Sequence, residues 1–215
     1  MNKKYEITQE TTLSWDGKTL FRIKALATIE GVVKEGELGG FIETEANLTI
    51  SGNAWVYGNA WVYGNAQVYG NAWVSGDARV YGNAQIKFGN IEVDMFTDIQ
   101  NYIACSLNVY PIKGFYYLYK QVNKVSDGKY VACFDKKTIY VDGKVTRVKD
   151  FNPDVNISCS RGIHASTPFY YSEGDTLIAV KIKVSDIITC QEGKVRCKAV
   201  TTIGEIVGAT KVRVI

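Results

Sequence analysis

Between residues 50 and 88 the apolar positions recur every six residues. The unit is Gly-Asn-Ala-Xaa-Val-Xaa: Gly stands at 52, 58, 64, 70, 76 and 82, and Ala at 54, 60, 66, 72, 78 and 84. The aliphatic place is taken by Val56, Val62, Val68, Val74, Val80 and Ile86. A period of six suits neither an α-helix nor one long strand. Within each unit Ala and the aliphatic residue are two apart, so they share one side of a short strand, and the residues flanking the aliphatic one point to the other. Gly-Asn supplies a corner, because Gly accepts positive φ freely and Asn tolerates it better than most residues. Three strands and three corners close an 18-residue triangular coil. Coils stack at about 4.8 Å, which sets residue i against i+18. The count excludes a five-residue solenoid. The beat continues upstream, less cleanly, through the pairs Leu48/Ile50 and Ile42/Thr44, giving about eight units and just under three coils over residues 40–89.

The flanks have other periods. Residues 1–39 alternate polar with apolar, as in Thr19-Leu20-Phe21-Arg22-Ile23-Lys24-Ala25-Leu26, and predict two short strands with a Gly-rich exit at Gly39-Gly40. Downstream, Phe96 to Asn108 predicts a short helix with Thr97 and Asp98 at its start. Strands are then predicted at Phe115–Val122, Tyr130–Phe134, Thr138–Val141 and Lys144–Lys149, with turns at Asp127-Gly128 and Asp142-Gly143. Cys159 to Pro168 reads as a strand entering a turn or helix that carries Phe169, Tyr170 and Tyr171; Thr176–Val184 and Lys194–Thr202 close the chain. The expected fold is mainly β. It has an N-terminal β cap (1–39), a hexapeptide-repeat parallel β-helix (40–89) and an α+β domain of mostly antiparallel strands (90–215).

The outward positions of the coil change the picture. They form three columns: Trp55, Tyr57, Trp73 and Ser75; Trp61, Tyr63, Arg79 and Tyr81; Gln67, Tyr69, Gln85 and Lys87. Seven of these twelve are Trp or Tyr, where a solvated face should be polar. Uncovered, two adjacent faces would offer an aromatic surface of several hundred Å², a size that marks an interface or a ligand site. Corner residues should stack as Asn53 with Asn71, Asn65 with Asn83 and Asn59 with Asp77.

Charge and cysteine usage add limits. Residues 1–39 carry six basic and six acidic side chains, and residues 40–89 only Glu43, Glu45, Asp77, Arg79 and Lys87. Residues 90–215 carry 17 basic and 13 acidic, a local excess that would welcome an anionic ligand. The overall +3 is too weak to argue for duplex nucleic acid. No apolar run reaches membrane-spanning length, and none follows the basic start Met1-Asn2-Lys3-Lys4, so neither a membrane span nor a secretory signal is expected. Five Cys without a CxxC pair point to reduced thiols in a cytosol. Neither a metal nor a cofactor is implied.

At this point the Gly-Asn-Ala repeats resemble the hexapeptide-repeat proteins, which implies a left-handed parallel β-helix. Cys159, Gly162-Ile163-His164-Ala165, the Tyr170-Tyr171 pair and Lys194-Val195-Arg196 make residues 115–205 similar to a domain of unknown activity common in bacteriophage proteins. Joined to the Gly39–Leu48 stretch, the repeats also resemble phage β-helix proteins. A fainter likeness is to ADP-ribosyltransferase folds, where a Gly-Ile-His-Ala-type strand precedes a Tyr-bearing helix. That likeness implies a nucleotide pocket around Ile163–Tyr171, with Glu205 as the only counterpart, on chain order, of the family's glutamate.

His164 is the only histidine, so the general base that hexapeptide acyltransferases place beside the coil has no counterpart there. A Cys159–His164 nucleophile pair is disfavoured, because five residues apart on one strand they point to opposite faces. The remaining reading is a non-enzymatic binding protein of phage type in the cytosol of an infected cell. It would form a trimer or dimer and sequester a small phosphorylated nucleotide, a host immune signal being the example. Trp55, Trp61, Tyr63, Trp73, Tyr81, Tyr170 and Tyr171 would stack on a base, and Arg79, Arg161 and His164 would meet phosphate. The alternatives are an enzyme acting on a nucleotide through His164, or a structural assembly part.

Overall fold

A computed structural model describes residues 3–92, 94, 98–168 and 170–208. The fold is mainly β: short parallel sheets built from the repeats, followed by an antiparallel sheet domain. Two compact units divide at Asn108, the first also taking in Asn156–Ser158 and Cys190–Gly193.

In the first unit, β1 (Tyr5–Leu13) and β2 (Thr19–Ala25) pair antiparallel, and β2 pairs antiparallel with β3 (Leu38–Ile42). The hexapeptides then give the two-residue strands β4 (Trp55–Val56), β5 (Trp61–Val62), β6 (Gln67–Val68), β7 (Trp73–Val74), β8 (Arg79–Val80) and β9 (Gln85–Ile86), followed by β10 (Asn90–Ile91). These pair in parallel at the expected i+18: Trp55 with Trp73, Trp61 with Arg79, Gln67 with Gln85. Every repeat Ala and every repeat Val or Ile is fully buried, so the bore is filled by small and branched side chains. The corner glycines lie at φ between +54° and +75°, where a Cβ would be strained. The Asn65 side-chain amide donates to Asn83 Oδ1 at 3.0 Å, one rung of the expected corner ladder.

The entry to the coil differs from the sequence reading. Gly39-Gly40 lies inside β3 rather than leaving the cap, so the boundary drawn at residue 39 falls within a strand. A Cβ on Gly39 would stand 2.6 Å from the Val56 carbonyl oxygen, and one on Gly40 2.5 Å from that of Ala60. These glycines are present because backbone passes against backbone. Of the pairs Ile42/Thr44 and Leu48/Ile50, the first member of each takes the aliphatic place: Ile42 faces Val62 and Leu48 faces Val68, while Ile50 is exposed. Ile42 and Leu48 stack at an offset of twenty and Trp55 at eighteen, so the two extra residues lie between Leu48 and Trp55. A 3₁₀ turn at Glu45–Asn47 precedes them, and its buried Asn47 amide donates to the carbonyls of Gly64 and Ala66 at 3.0 and 2.9 Å. Helix α1 (Ile99–Leu107) follows, with the Asp98 carboxylate accepting from the Asn101 amide. Its Tyr102, Ile103 and Cys105 are buried, and the Cys105 carbonyl accepts from the amides of Lys87 and Phe88. The expected helix start at Phe96 and Thr97 lies outside the described residues.

The second unit is built on β11 (Phe115–Ser126), β12 (Lys129–Ala132), β13 (Ile139–Val141), β14 (Val145–Arg147), β15 (Ile163–Ser166), β16 (Thr176–Lys183), β17 (Ile187–Gln191, whose Cys190 and Gln191 fall in the first unit), β18 (Lys194–Cys197) and β19 (Ala199–Glu205). The sheet order is β14-β19-β16-β11-β15-β18-β17, with β12 also on β11 and β13 on β12. Two expectations are corrected. Lys194–Thr202 is two strands, broken where the Lys198 amide donates to the Asp186 carbonyl; β18 pairs with β15, and β19 with β14 and β16. Strand β17 was not anticipated; it meets β18 across a turn in which Glu192 and Gly193 both take positive φ.

Candidate functional site

The cavity in the second unit follows from a fork in its sheet. On one edge β11 pairs with β16 from Phe115 to Val122 without interruption. On the other edge it meets β15 only at Tyr119–Ser166, and then β12 from Val122–Ala132 onward. On this second edge, between the two partners, no described strand pairs with Lys120 or Gln121. The opening is a cavity of about 850 Å³, within the range that holds a cofactor-sized ligand. Arg161, His164, Tyr170 and Tyr171 all line it, so four residues singled out from the sequence converge. Gly162, at φ +146°, leads into β15, and a Cβ there would meet Arg196 Cγ at 2.8 Å.

The electrostatics of the cavity come mostly from residues that the sequence reading missed. Lys120 Nζ donates to the His164 carbonyl at 3.0 Å and lies 5.6 Å from the Tyr140 ring centroid. Burial pushes the Lys120 pKa down, against the opposing pull of Cys197, Cys133 and Asp135. Lys194 is buried, with Nζ 6.0 Å from the Tyr170 ring. Burial works to raise the Asp135 carboxyl, but bonds from the Thr138 hydroxyl and the Lys137 and Thr138 amides outweigh it and hold it below its ordinary range. The Tyr140 phenol is driven well above its usual value, first by burial. Tyr170 and Tyr171 meet edge to face at 4.7 Å between centroids. The signal for Lys120 was present: it is the one cation in the aromatic and aliphatic run Phe115-Tyr116-Tyr117-Leu118-Tyr119-Lys120-Gln121-Val122.

Three expectations about this region need revision. Cys159 and His164 do not lie on one strand, since β15 begins at Ile163; both line the same cavity. Arg161 is exposed and ion-paired with Asp150 at 2.7 Å, so its guanidinium is not turned wholly to a ligand. Glu205 pairs with Lys124 at 2.9 Å and does not line the cavity.

The other six candidates belong to the first unit and form no single site. The indole and phenol rings project from the bore, as the alternation requires, but the chain's own N-terminal segment covers several of them. Trp55 is fully buried, edge-on to Tyr5 at 6.3 Å between ring centroids. Tyr63 lies in an apolar cluster with Leu20 and Phe41, and its hydroxyl accepts from Trp15 Nε1 at 2.5 Å. Neither ring has a face left for a ligand, which corrects their assignment as stacking residues. Tyr81 stacks on Tyr63 at 5.2 Å and 15°. Trp73 is partly exposed and edge-on to Tyr57, whose hydroxyl donates to the Val32 carbonyl at 2.9 Å. The Arg79 guanidinium lies 4.8 Å over the half-buried Trp61, beside Arg22 at 4.2 Å over Phe41. The cover sought from a sister subunit is therefore supplied, for Trp55 and Tyr63, within the chain.

Residues 50–64 and 66–82 match the YdcK beta solenoid repeat. No curated protein matches the chain. Over its coil the chain is thus similar to YdcK-type beta solenoids, and an antiparallel-sheet domain follows in sequence.

Proposed function

We propose that the chain is a binding protein whose second unit holds a small planar anion of the nucleotide class, with the solenoid as a rigid spine. The observation that supports this reading is the gathering of Lys120, Arg161, His164, Tyr170, Tyr171 and Lys194 around one cavity. Arg161 and Lys194 suit phosphate and the tyrosines suit a base, each base–aromatic stack being worth about 1–3 kcal/mol. The likeness of the repeats and of residues 115–205 to phage proteins motivates the biological role: capture of a nucleotide signal of the host, without turnover. Titration calorimetry against mono-, cyclic di- and cyclic oligonucleotides and ADP-ribose tests it. Binding at about 10 µM or tighter, roughly −7 kcal/mol, is expected, weakened about tenfold or more by Tyr170→Ala. Absence of binding across that panel removes the reading, and product formation abolished by His164→Ala replaces capture with catalysis.

A further inference from the structure

We propose that Lys120 is a reactive amine that condenses with an aldehyde-bearing anionic ligand to form an imine. The inference rests on the reading of this cavity as the ligand site and names the chemistry that the site performs there.

The fork in the sheet places the amine. With neither β15 nor β12 alongside at Lys120, the side chain enters the opening, where Nζ donates to the His164 carbonyl and lies 5.6 Å from the Tyr140 ring centroid. Among the described residues no carboxylate forms an ion pair with it. Nζ is half-buried, and desolvation there works against the ammonium and toward the neutral amine. The groups that oppose this are Asp135 and the thiols of Cys133 and Cys197, and burial outweighs them. A neutral amine has the lone pair that a carbonyl carbon accepts.

The step balances within the cavity. Nζ attacks the carbonyl carbon, forming N–C as the C–O π bond breaks, and the oxygen takes a proton to give a carbinolamine. That hydroxyl leaves as water with a second proton, the remaining N–H proton is lost, and C=N remains. No oxidant or reductant is needed. Tyr140, which lines the same cavity and keeps its proton through burial, is a hydrogen-bond donor to the departing oxygen, the proton itself coming from solvent in the cavity. Lys194 and Arg161, on the same walls, are the cations for the anionic end of the ligand.

The test uses pyridoxal 5′-phosphate as a probe on the full chain at neutral pH. Borohydride adds hydride to the imine carbon and fixes the adduct, which peptide mass mapping locates. Labelling of Lys120 should exceed that of Lys144, which is exposed and outside the cavity, by roughly tenfold or more, and it should fall with phosphate-free pyridoxal. Label spread over surface lysines, with Lys120 at or below their level, overturns the proposal. Lys120→Met should lose the dominant adduct; if that variant does not fold, the wild-type map decides alone. The two readings fail separately: nucleotide binding with an unlabelled Lys120 sinks the imine chemistry only, and a labelled Lys120 without nucleotide binding sinks the nucleotide class only.

Discussion

Lys4 shows how much one buried side chain can commit. It is 7% exposed, and its Nζ donates to the Ala54 carbonyl at 2.7 Å. Burial lowers its pKa from 10.5 to about 8. The unfolded chain therefore binds the proton more tightly than the folded one, so stability rises with pH between these two values and is flat below about 8. The full swing is on the order of 3 kcal/mol. Chemical denaturation of wild type and Lys4→Met at successive pH values should show the wild type gaining on the variant as pH rises from 8 toward 10.5. A constant difference would mean that Lys4 titrates alike in both states. Hydropathy alone would have left Lys4 in solvent; only the Ala54 carbonyl, fifty residues away, explains its burial.

At the scale of elements, the hairpin β1–β2 and strand β3 turn the coil's aromatic surface into an interior. Leu20 is fully buried beside Phe41 and Tyr63, with Trp61 and Tyr81 at the edge of the cluster. Truncating such a leucine removes its burial and leaves a cavity, so Leu20→Ala should cost about 2–5 kcal/mol. Equilibrium denaturation measures this, and a loss under about 1 kcal/mol would mean that the hairpin collapses to fill the gap. The alternation in residues 19–26 announced β2, but not what its apolar side would meet. The six-residue beat announced every strand of the coil from β4 to β9, because each unit repeats the same choice of corner, small residue and branched residue. It failed upstream, where two extra residues between Leu48 and Trp55 lengthen one coil to a stacking offset of twenty.

Over the whole molecule, burial sorts chemically similar groups that the sequence presents as equals. All five thiols are free; Cys159 is exposed, Cys133 half-buried, and Cys105, Cys190 and Cys197 buried. Burial also raises Cys105, to about 11, and Cys197, to about 12. A limited dose of iodoacetamide followed by mass mapping should therefore modify Cys159 first and Cys133 next, leaving the other three until the protein unfolds. Simultaneous modification of all five would place the buried thiols in open regions. The sequence by itself determined the coil, since a strict period leaves one way to put alanine and valine inside and aromatic rings outside. It also singled out Ile163–Tyr171, of which Ile163, His164, Tyr170 and Tyr171 line the cavity. What covers Trp55 and Tyr63, and where Lys120 stands, were decided by tertiary structure, because both depend on pairings between segments far apart in the chain. A short-range pattern tells which side of a strand a residue takes, not which strand arrives beside it.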